Sequence, residues 1–149
     1  MRGRFPPTPL HRYPGLLKKH YEITKRFLLA EGHNFESVDY NVRIGDGVLP
    51  KENWDEITRK AAKELTQKRI DLVGYRHGEI WIIEITHQAR VSVFGQIVAY
   101  RQMYQEDFKP TEQIQTAVVC STIDRDFNRL LFERGVSVFR YPDYPGAVL

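Results

Sequence analysis

Two acid-bearing, β-rich segments joined by a very short turn constrain this chain more than any other feature of its sequence. Residues 69–75 and 79–86 are rich in apolar and β-branched residues, and Arg76-His77-Gly78 separates them. This pattern predicts a β-hairpin. If His77-Gly78 forms a two-residue loop, the residues that face each other have numbers that sum to 155, so Asp71 faces Glu84.

The two facing acids need a counter-charge. Directly opposed residues of an antiparallel pair have Cβ atoms about 4.5 to 5.5 Å apart, and like charges at that distance are destabilising. A divalent cation such as Mg²⁺, held by oxygen ligands and phosphate, would offset them. The same register puts Arg69 opposite Thr86, on the face that carries the acids. On the other interpretation the acids face water, and a one-residue change in loop length would place them on opposite faces.

The neighbours of Glu84 favour the metal site. Glu84 lies within Trp81-Ile82-Ile83-Glu84-Ile85, a strongly apolar strand in which an unpaired carboxylate is costly. The two segments Arg69-Ile70-Asp71 and Glu84-Ile85-Thr86 resemble the core motif of the PD-(D/E)XK nuclease superfamily. In that motif one strand carries an acid and the next carries an acid-X-Lys triplet.

The resemblance extends along roughly residues 15–141. Gln96 and Tyr100 are similar to the Gln-X-X-X-Tyr element of several nuclease branches, and residues 116–139 are similar to the end of the core in Mrr-like and NucS-like DNA endonucleases. The resemblance implies a restriction-endonuclease-like α/β fold, in which helices flank a central mixed β-sheet in the order αβββαβ with a further αβ.

The resemblance also implies roles for particular residues. Asp71 and Glu84 match the metal-binding pair, the carbonyl of Ile85 is a further ligand, and Glu22 stands where some branches have an additional acidic ligand. Gln96 and Tyr100, one helical turn apart, would orient a water or a phosphate. The implied cofactor is Mg²⁺, with Mn²⁺ as a substitute, and the implied reaction is hydrolysis of DNA phosphodiester bonds.

The sequence departs from the motif at Thr86, which stands where the lysine is expected. Arg69, opposite Thr86 in the hairpin register, is the first candidate to replace it. Arginine stays protonated, so it can stabilise a phosphate but cannot act as a base. His87 can act as a base at neutral pH. Other basic candidates near the motif are Lys68, Arg90 and Arg101.

The rest of the chain reads as one domain between two irregular ends. Periodicity predicts helices at residues 15–31, 53–66, 88–108 and 124–134, and further strands at 35–44, 115–121 and 136–141. The apolar strand 115–121 is typical of a strand buried between parallel neighbours. In the helix 88–108 the residues expected to face inward are Phe94, Ile97, Val98, Tyr104 and Phe108. Asn53 is the expected cap of the second helix. The tail 142–149 is expected to be irregular.

Positive charge is concentrated near the N-terminus. Residues 1–34 hold seven Lys/Arg against two acids, whereas the remainder holds 15 against 17. Four prolines in residues 1–14 make this segment an extended basic arm. The arm is either a loose terminus or a segment that orders on a phosphate backbone or another partner. DNA is therefore the expected partner, and a homodimer or a larger nucleoprotein or virion assembly, formed through the arm, is a further expectation.

Composition excludes two other classes of protein. The longest apolar runs are far shorter than the roughly 20 residues of a membrane helix, and Cys120 is the only cysteine, so no internal disulfide can form. We expect an intracellular, reducing location, either cytoplasmic or within a virion. The leading functional hypothesis is a metal-dependent deoxyribonuclease. The alternative is a catalytically degenerate nuclease fold, a DNA-binding or structural component of a larger assembly, because Thr86 replaces the lysine.

Overall fold

The structure, a computed structural model, describes residues 2–143. Its elements alternate between helices and strands after an N-terminal arm. The helices are α1 (Tyr21–Glu31), α2 (Glu56–Thr66), α3 (Val91–Phe108) and α4 (Arg125–Glu133), with 3₁₀ turns at Lys18–His20 and Gly32–Asn34. The strands are β1 (Ser37–Ile44), β2 (Lys68–Arg76), β3 (Glu79–Ala89), β4 (Gln113–Ile123) and β5 (Val136–Arg140).

The strands form one mixed sheet in the order β1-β2-β3-β4-β5. β1, β2 and β3 are antiparallel neighbours, while β4 runs parallel to both β3 and β5. The predicted α/β class is confirmed, and so is the burial of β4 between parallel strands. Apolar side chains from both faces of the sheet are buried. On one face they pack against Ile23, Phe27 and Leu28 of α1, and on the other against α3 and α4.

The predicted hairpin is also confirmed. Arg76 pairs with Glu79, and each pair from there to Leu72 and Ile83 has the register predicted for a two-residue loop. Gly78 has a φ of +75°, a backbone conformation that glycine adopts without the steric cost of a Cβ. The turn chemistry therefore fixes which residues of β2 and β3 face each other.

Three helices begin later than predicted or have a different cap, because the preceding backbone forms other interactions. α1 begins six residues after the predicted start, because Gly15 has a φ of +73° and a 3₁₀ turn precedes the helix. α2 is capped by Asp55 instead of Asn53, since the Asp55 side chain accepts from the backbone N–H of Thr58 at 2.6 Å. α3 begins three residues after the predicted start, because β3 continues its ladder with β4 as far as Ala89. Two side chains predicted to face inward from α3, Val98 and Phe108, are exposed.

The N-terminal arm lies along the outer edge of β1. Phe5 and Val38 exchange both backbone hydrogen bonds, at 3.0 and 2.9 Å. The buried carboxylate of Asp39 accepts from the N–H of Gly3 at 2.6 Å and of Arg4 at 2.8 Å, and from the hydroxyl of Tyr75 at 2.9 Å. The basic arm is thus attached to its own domain through a buried acid. Of the tail predicted to be irregular, residues 144–149 lie outside the described residues.

α2 stands apart from the rest of the molecule. None of its residues is buried, and it has no extensive contact with another helix or strand of the described chain. None of the helices within residues 2–143 is long and apolar enough to cross a membrane.

Candidate active site at the divergence of two strands

The central part of the sheet divides at the acidic residues. The β2–β3 ladder stops at Leu72 and Ile83, although β2 stays paired with β1 as far as Lys68 and β3 stays paired with β4 as far as Ala89. We call the point beyond Leu72 and Ile83 the fork. Asp71 and Glu84 are the first residue of each strand beyond it.

The alternation of side chains changes at the same level. In β2, Leu72 belongs to the core beside α1, but Ile70 belongs to the core beside α3. Residues two apart on a regular strand share a face. Across the ladder, Asn41 of β1 has a φ of +56°. The backbone is therefore reoriented beside Asp71, which frees that residue from regular pairing.

The predicted ladder pairing of Asp71 with Glu84 is wrong, but the two carboxyl groups still lie side by side. Asp71 and Glu84 are not a ladder pair, because the ladder has ended one residue earlier. Instead the Asp71 carboxylate accepts from the backbone N–H of Ile85 at 2.9 Å. This bond crosses the fork and holds the Asp71 carboxyl group beside that of Glu84.

Glu84 is a buried acid without a full set of partners. The residue is 4% exposed, and its Oε1 atom has no hydrogen-bond partner among the described residues. Burial, followed by the charge of Asp71, raises the pKa of the Glu84 carboxyl group well above its usual value. A proton or a cation is needed to neutralise this position at neutral pH.

α3 brings the predicted glutamine and tyrosine to the acids. Burial raises the pKa of the Tyr100 hydroxyl, and the charges of Glu84 and Asp71 raise it further, while the side chain of Gln96 acts in the opposite direction. Gln96 lies one turn before Tyr100 and is exposed to solvent. Tyr100 thus interacts with both acids and with Gln96.

A histidine that motif spacing does not single out lies on the other side of Asp71. His20 closes the 3₁₀ turn before α1 and is 9% exposed. Burial lowers the pKa of its imidazole, and the nearby charge of Asp71 opposes that change. The sequence places His20 within the predicted helix 15–31, and this position does not distinguish a site residue from a core residue.

Arg69 and Thr86, which the hairpin register predicts to face each other, have other partners in the structure. Arg69 pairs with Arg43 of β1 instead of facing Thr86, because the β2–β3 ladder has already ended. Among residues 2–143 no ion pair joins Arg69 to Asp71 or Glu84. Thr86 donates its hydroxyl hydrogen to the carbonyl of Gln88 at 3.3 Å.

Glu22 and His87 interact with residues other than Glu84. Glu22 is on the first turn of α1, is exposed, and has an electrostatic effect on Tyr13. His87 pairs with Asp143 at 3.4 Å, and its charge also acts on the imidazole of His20. Neither residue has an interaction with Glu84 among those of the described chain.

The donors at the fork suit a hard cation only in part. Carboxylate and carbonyl oxygens are the ligands that Mg²⁺ prefers, with water and substrate phosphate completing its shell. The unpartnered Oε1 of Glu84 fits such an ion. Within residues 2–143, however, no three His, Cys, Asp or Glu side chains are grouped closely enough to hold a metal by themselves. Side chains at the fork could therefore offer such an ion two carboxylates, and its other ligands would have to come from the backbone, solvent or substrate.

The described chain is an α/β fold in which helices flank a mixed five-stranded sheet, which is the fold class that the resemblance to restriction-endonuclease-like nucleases implies. The predicted fold class is therefore confirmed.

No protein-family model and no curated protein sequence matches the chain. Its structure is similar to three solved structures. A repair endonuclease from Pyrococcus abyssi has 14% identity and a TM-score of 0.43, and the match covers 70% of this chain and 39% of that one. EndoMS bound to double-stranded DNA has 12% identity and a TM-score of 0.49, and the match covers 91% of this chain and 50% of that one. A protein of unknown function has 17% identity and a TM-score of 0.45, and the match covers 85% of this chain and 60% of that one. The chain thus spans about half the length of the structures it matches.

Proposed function

We propose that this protein is a metal-dependent nuclease that hydrolyses phosphodiester bonds of DNA at the fork. The observation that carries the proposal is the proximity of the Asp71 and Glu84 carboxyl groups. Glu84 is buried, and its Oε1 has no hydrogen-bond partner among the described residues. Two adjacent carboxyl groups at this point of the sheet require a neutralising group, and a divalent cation is the one that also provides phosphodiester chemistry.

Different residues of the site would bind the metal ion and orient the substrate. Asp71 and Glu84, with the carbonyl of Ile85, would hold Mg²⁺ or Mn²⁺. Such an ion polarises the scissile phosphate and lowers the pKa of the attacking water. The Ile85 N–H keeps the Asp71 carboxylate oriented toward the site. Gln96 and Tyr100 present an amide and a hydroxyl to the same place, where they can position water or a phosphate oxygen.

The imidazole of His20 would supply a hydrogen-bond donor where Thr86 leaves the site without the motif lysine. His20 lies beside Asp71, and burial lowers the pKa of its imidazole. It would therefore act toward the substrate phosphate as a neutral N–H donor. Arg69 pairs with Arg43 of β1, so it would have to move before it could donate to the substrate phosphate.

Basic residues next to the site support DNA as the substrate. Lys18 and Lys19 form the exposed 3₁₀ turn that ends in His20, and the charge of Lys19 acts on the His20 imidazole. Phosphate contacts by such lysines give sequence-independent affinity. EndoMS, one of the structural neighbours, is bound to double-stranded DNA in its structure.

The test is a cleavage assay on double-stranded and single-stranded DNA with Mg²⁺, Mn²⁺ or EDTA. We expect cleavage by the wild type with either metal and none with EDTA. Asp71→Asn and Glu84→Gln should each reduce the rate by about 10³-fold or more, since electrostatic stabilisation at a reacting phosphate is usually a large contribution. Binding of DNA in EDTA should persist in both variants.

Glu79→Gln is the matched control. It makes the same chemical change on the same strand, but at the hairpin turn, where Glu79 pairs with Arg76. Its cleavage rate should stay within about twofold of the wild type. DNA binding without cleavage by the wild type, or cleavage that survives Glu84→Gln, would overturn the proposal.

A further inference from the structure

α2 is a helix whose stability is not accounted for by the domain that carries it. It has 11 residues and none of them is buried. Helices shorter than about 12 residues are marginal in water unless an amphipathic face is packed against something. The contacts that hold α2 lie at its C-terminal end, where Thr66 accepts from the N–H of Val48 at 2.8 Å and Gln67 donates to the carbonyl of Gly45 at 2.6 Å.

The apolar face of α2 points away from those contacts. Ile57, Ala61 and Leu65 recur every four residues, so they form one stripe. Ile57 is 83% exposed and Leu65 is 76% exposed. Arg59, on the opposite side of the helix, donates to the carbonyls of Trp54 and Glu52 in the preceding loop. The loop therefore covers the polar side and leaves the apolar stripe free.

One flank of this stripe carries charges of both signs. Lys60 and Glu64 lie one turn apart beside Ala61 and Leu65, and neither has an ion-pair partner among the described residues. The other flank carries Thr58 and Ala62, which are small enough to let another helix approach closely.

We propose that a second copy of this chain covers the stripe, with the two α2 helices packed antiparallel around a two-fold axis near Ala61. Such an axis places the same flank of both helices together and reverses their direction. Ile57 then lies against Leu65 of the partner subunit. Lys60 faces Glu64 of the partner subunit within about one turn, and the reciprocal pair forms at the same time.

The charges select this arrangement over others. In a parallel pair the flank with Lys60 and Glu64 would face the flank with Thr58 and Ala62, and no ion pair would form. DNA does not fit the stripe, because its surface is apolar and the flanking charges cancel. The interface is small beside the roughly 1,200 Å² of stable complexes, so we expect a weak dimer with a dissociation constant on the order of 100 µM.

The test is sedimentation equilibrium of the full chain from about 5 to 500 µM, a range chosen to span that constant. The wild type should pass from monomer to dimer. Lys60→Glu and Glu64→Lys should each weaken the dimer roughly five- to tenfold, because each places like charges together twice. The double variant that exchanges both charges should return to within about twofold of the wild type.

Lys63→Glu is the matched control, since it makes the same charge reversal on the side of the helix that faces the loop. It should leave the dimer unchanged, and circular dichroism should show that all variants keep the wild-type helix content. A chain that stays monomeric at about 500 µM overturns the proposal and assigns the stripe to another partner. A dimer that single reversals do not weaken, or that the exchange does not restore, overturns it as well.

Discussion

Replacing Glu84 with glutamine should stabilise the metal-free protein at neutral pH while it removes a residue proposed for catalysis. The Glu84 carboxyl group is buried beside Asp71, and its Oε1 has no hydrogen-bond partner among the described residues. Glutamine has the same shape, carries no charge, and brings an NH₂ group that can donate to Asp71. Removal of the buried charge beside Asp71 should raise the free energy of unfolding by about 1–3 kcal/mol.

The difference in stability between Glu84→Gln and the wild type should depend on pH. Because the pKa of Glu84 is raised in the folded state, the unfolded chain releases this proton first, starting near its unperturbed pKa of about 4.3. From there the group makes the wild type progressively less stable as pH rises toward the folded pKa. Below about pH 4 glutamate is protonated in both states, so the advantage of the glutamine variant should disappear there.

Urea denaturation in EDTA at pH 4, 6 and 8 measures this difference. The stability of Glu84→Gln relative to wild type should increase with pH. In parallel thermal melts each kcal/mol should appear as about 2–4 °C in Tm. Mg²⁺ at 100 times its dissociation constant should then stabilise the wild type by about 2.7 kcal/mol, and the variant by much less. If Glu84→Gln is less stable than wild type at pH 8 in EDTA, the carboxyl group is satisfied in the folded protein and the reasoning fails.

Three further predictions concern the arm, the core and the DNA-binding surface. Asp39→Asn should lower the free energy of unfolding by about 1–3 kcal/mol in urea titrations, because the buried charge accepts from two backbone N–H groups of the arm; unchanged stability would mean that the arm does not depend on it. Gly74→Ala should cost about 1–3 kcal/mol, since a Cβ there would come within 2.6 Å of the Phe35 ring, and a neutral result would show that the ring can move. Neutralising Lys18 and Lys19 together should make the slope of log K against log salt for DNA shallower by up to about 1.8, whereas an equal slope in a fluorescence-anisotropy titration would exclude both as phosphate contacts.

The order and type of the elements could be predicted because they depend on local patterns. The alternation in residues 69–86 and the turn residues around Gly78 specify the hairpin and its register, and the apolar run around Val118 specifies a strand with neighbours on both sides. The motif spacing singles out Asp71, Glu84, Gln96 and Tyr100, and in the structure the charges of both acids and the side chain of Gln96 act on the Tyr100 hydroxyl. The site assigned to these four residues stays a prediction.

The remaining features depend on contacts between distant segments. The end of the ladder at Leu72 follows from the reoriented backbone at Asn41 in another strand, and no pattern within the hairpin indicates it. For the same reason the hairpin pattern predicts Arg69 opposite Thr86, whereas the β2–β3 ladder ends before both residues and Arg69 pairs with Arg43 of β1. His20 reaches Asp71 because the 3₁₀ turn before α1 packs against β3, which is a property of the tertiary structure.

The proline-rich arm has a consequence for the size of the sheet. An edge strand with free N–H and C=O groups can act as a template for another chain, and such edges lead to aggregation. Phe5 pairs once with Val38 at the edge of β1, but Pro6, Pro7 and Pro9 follow it and have no N–H to continue the ladder. The arm therefore covers this edge without itself becoming a strand that a further chain could extend.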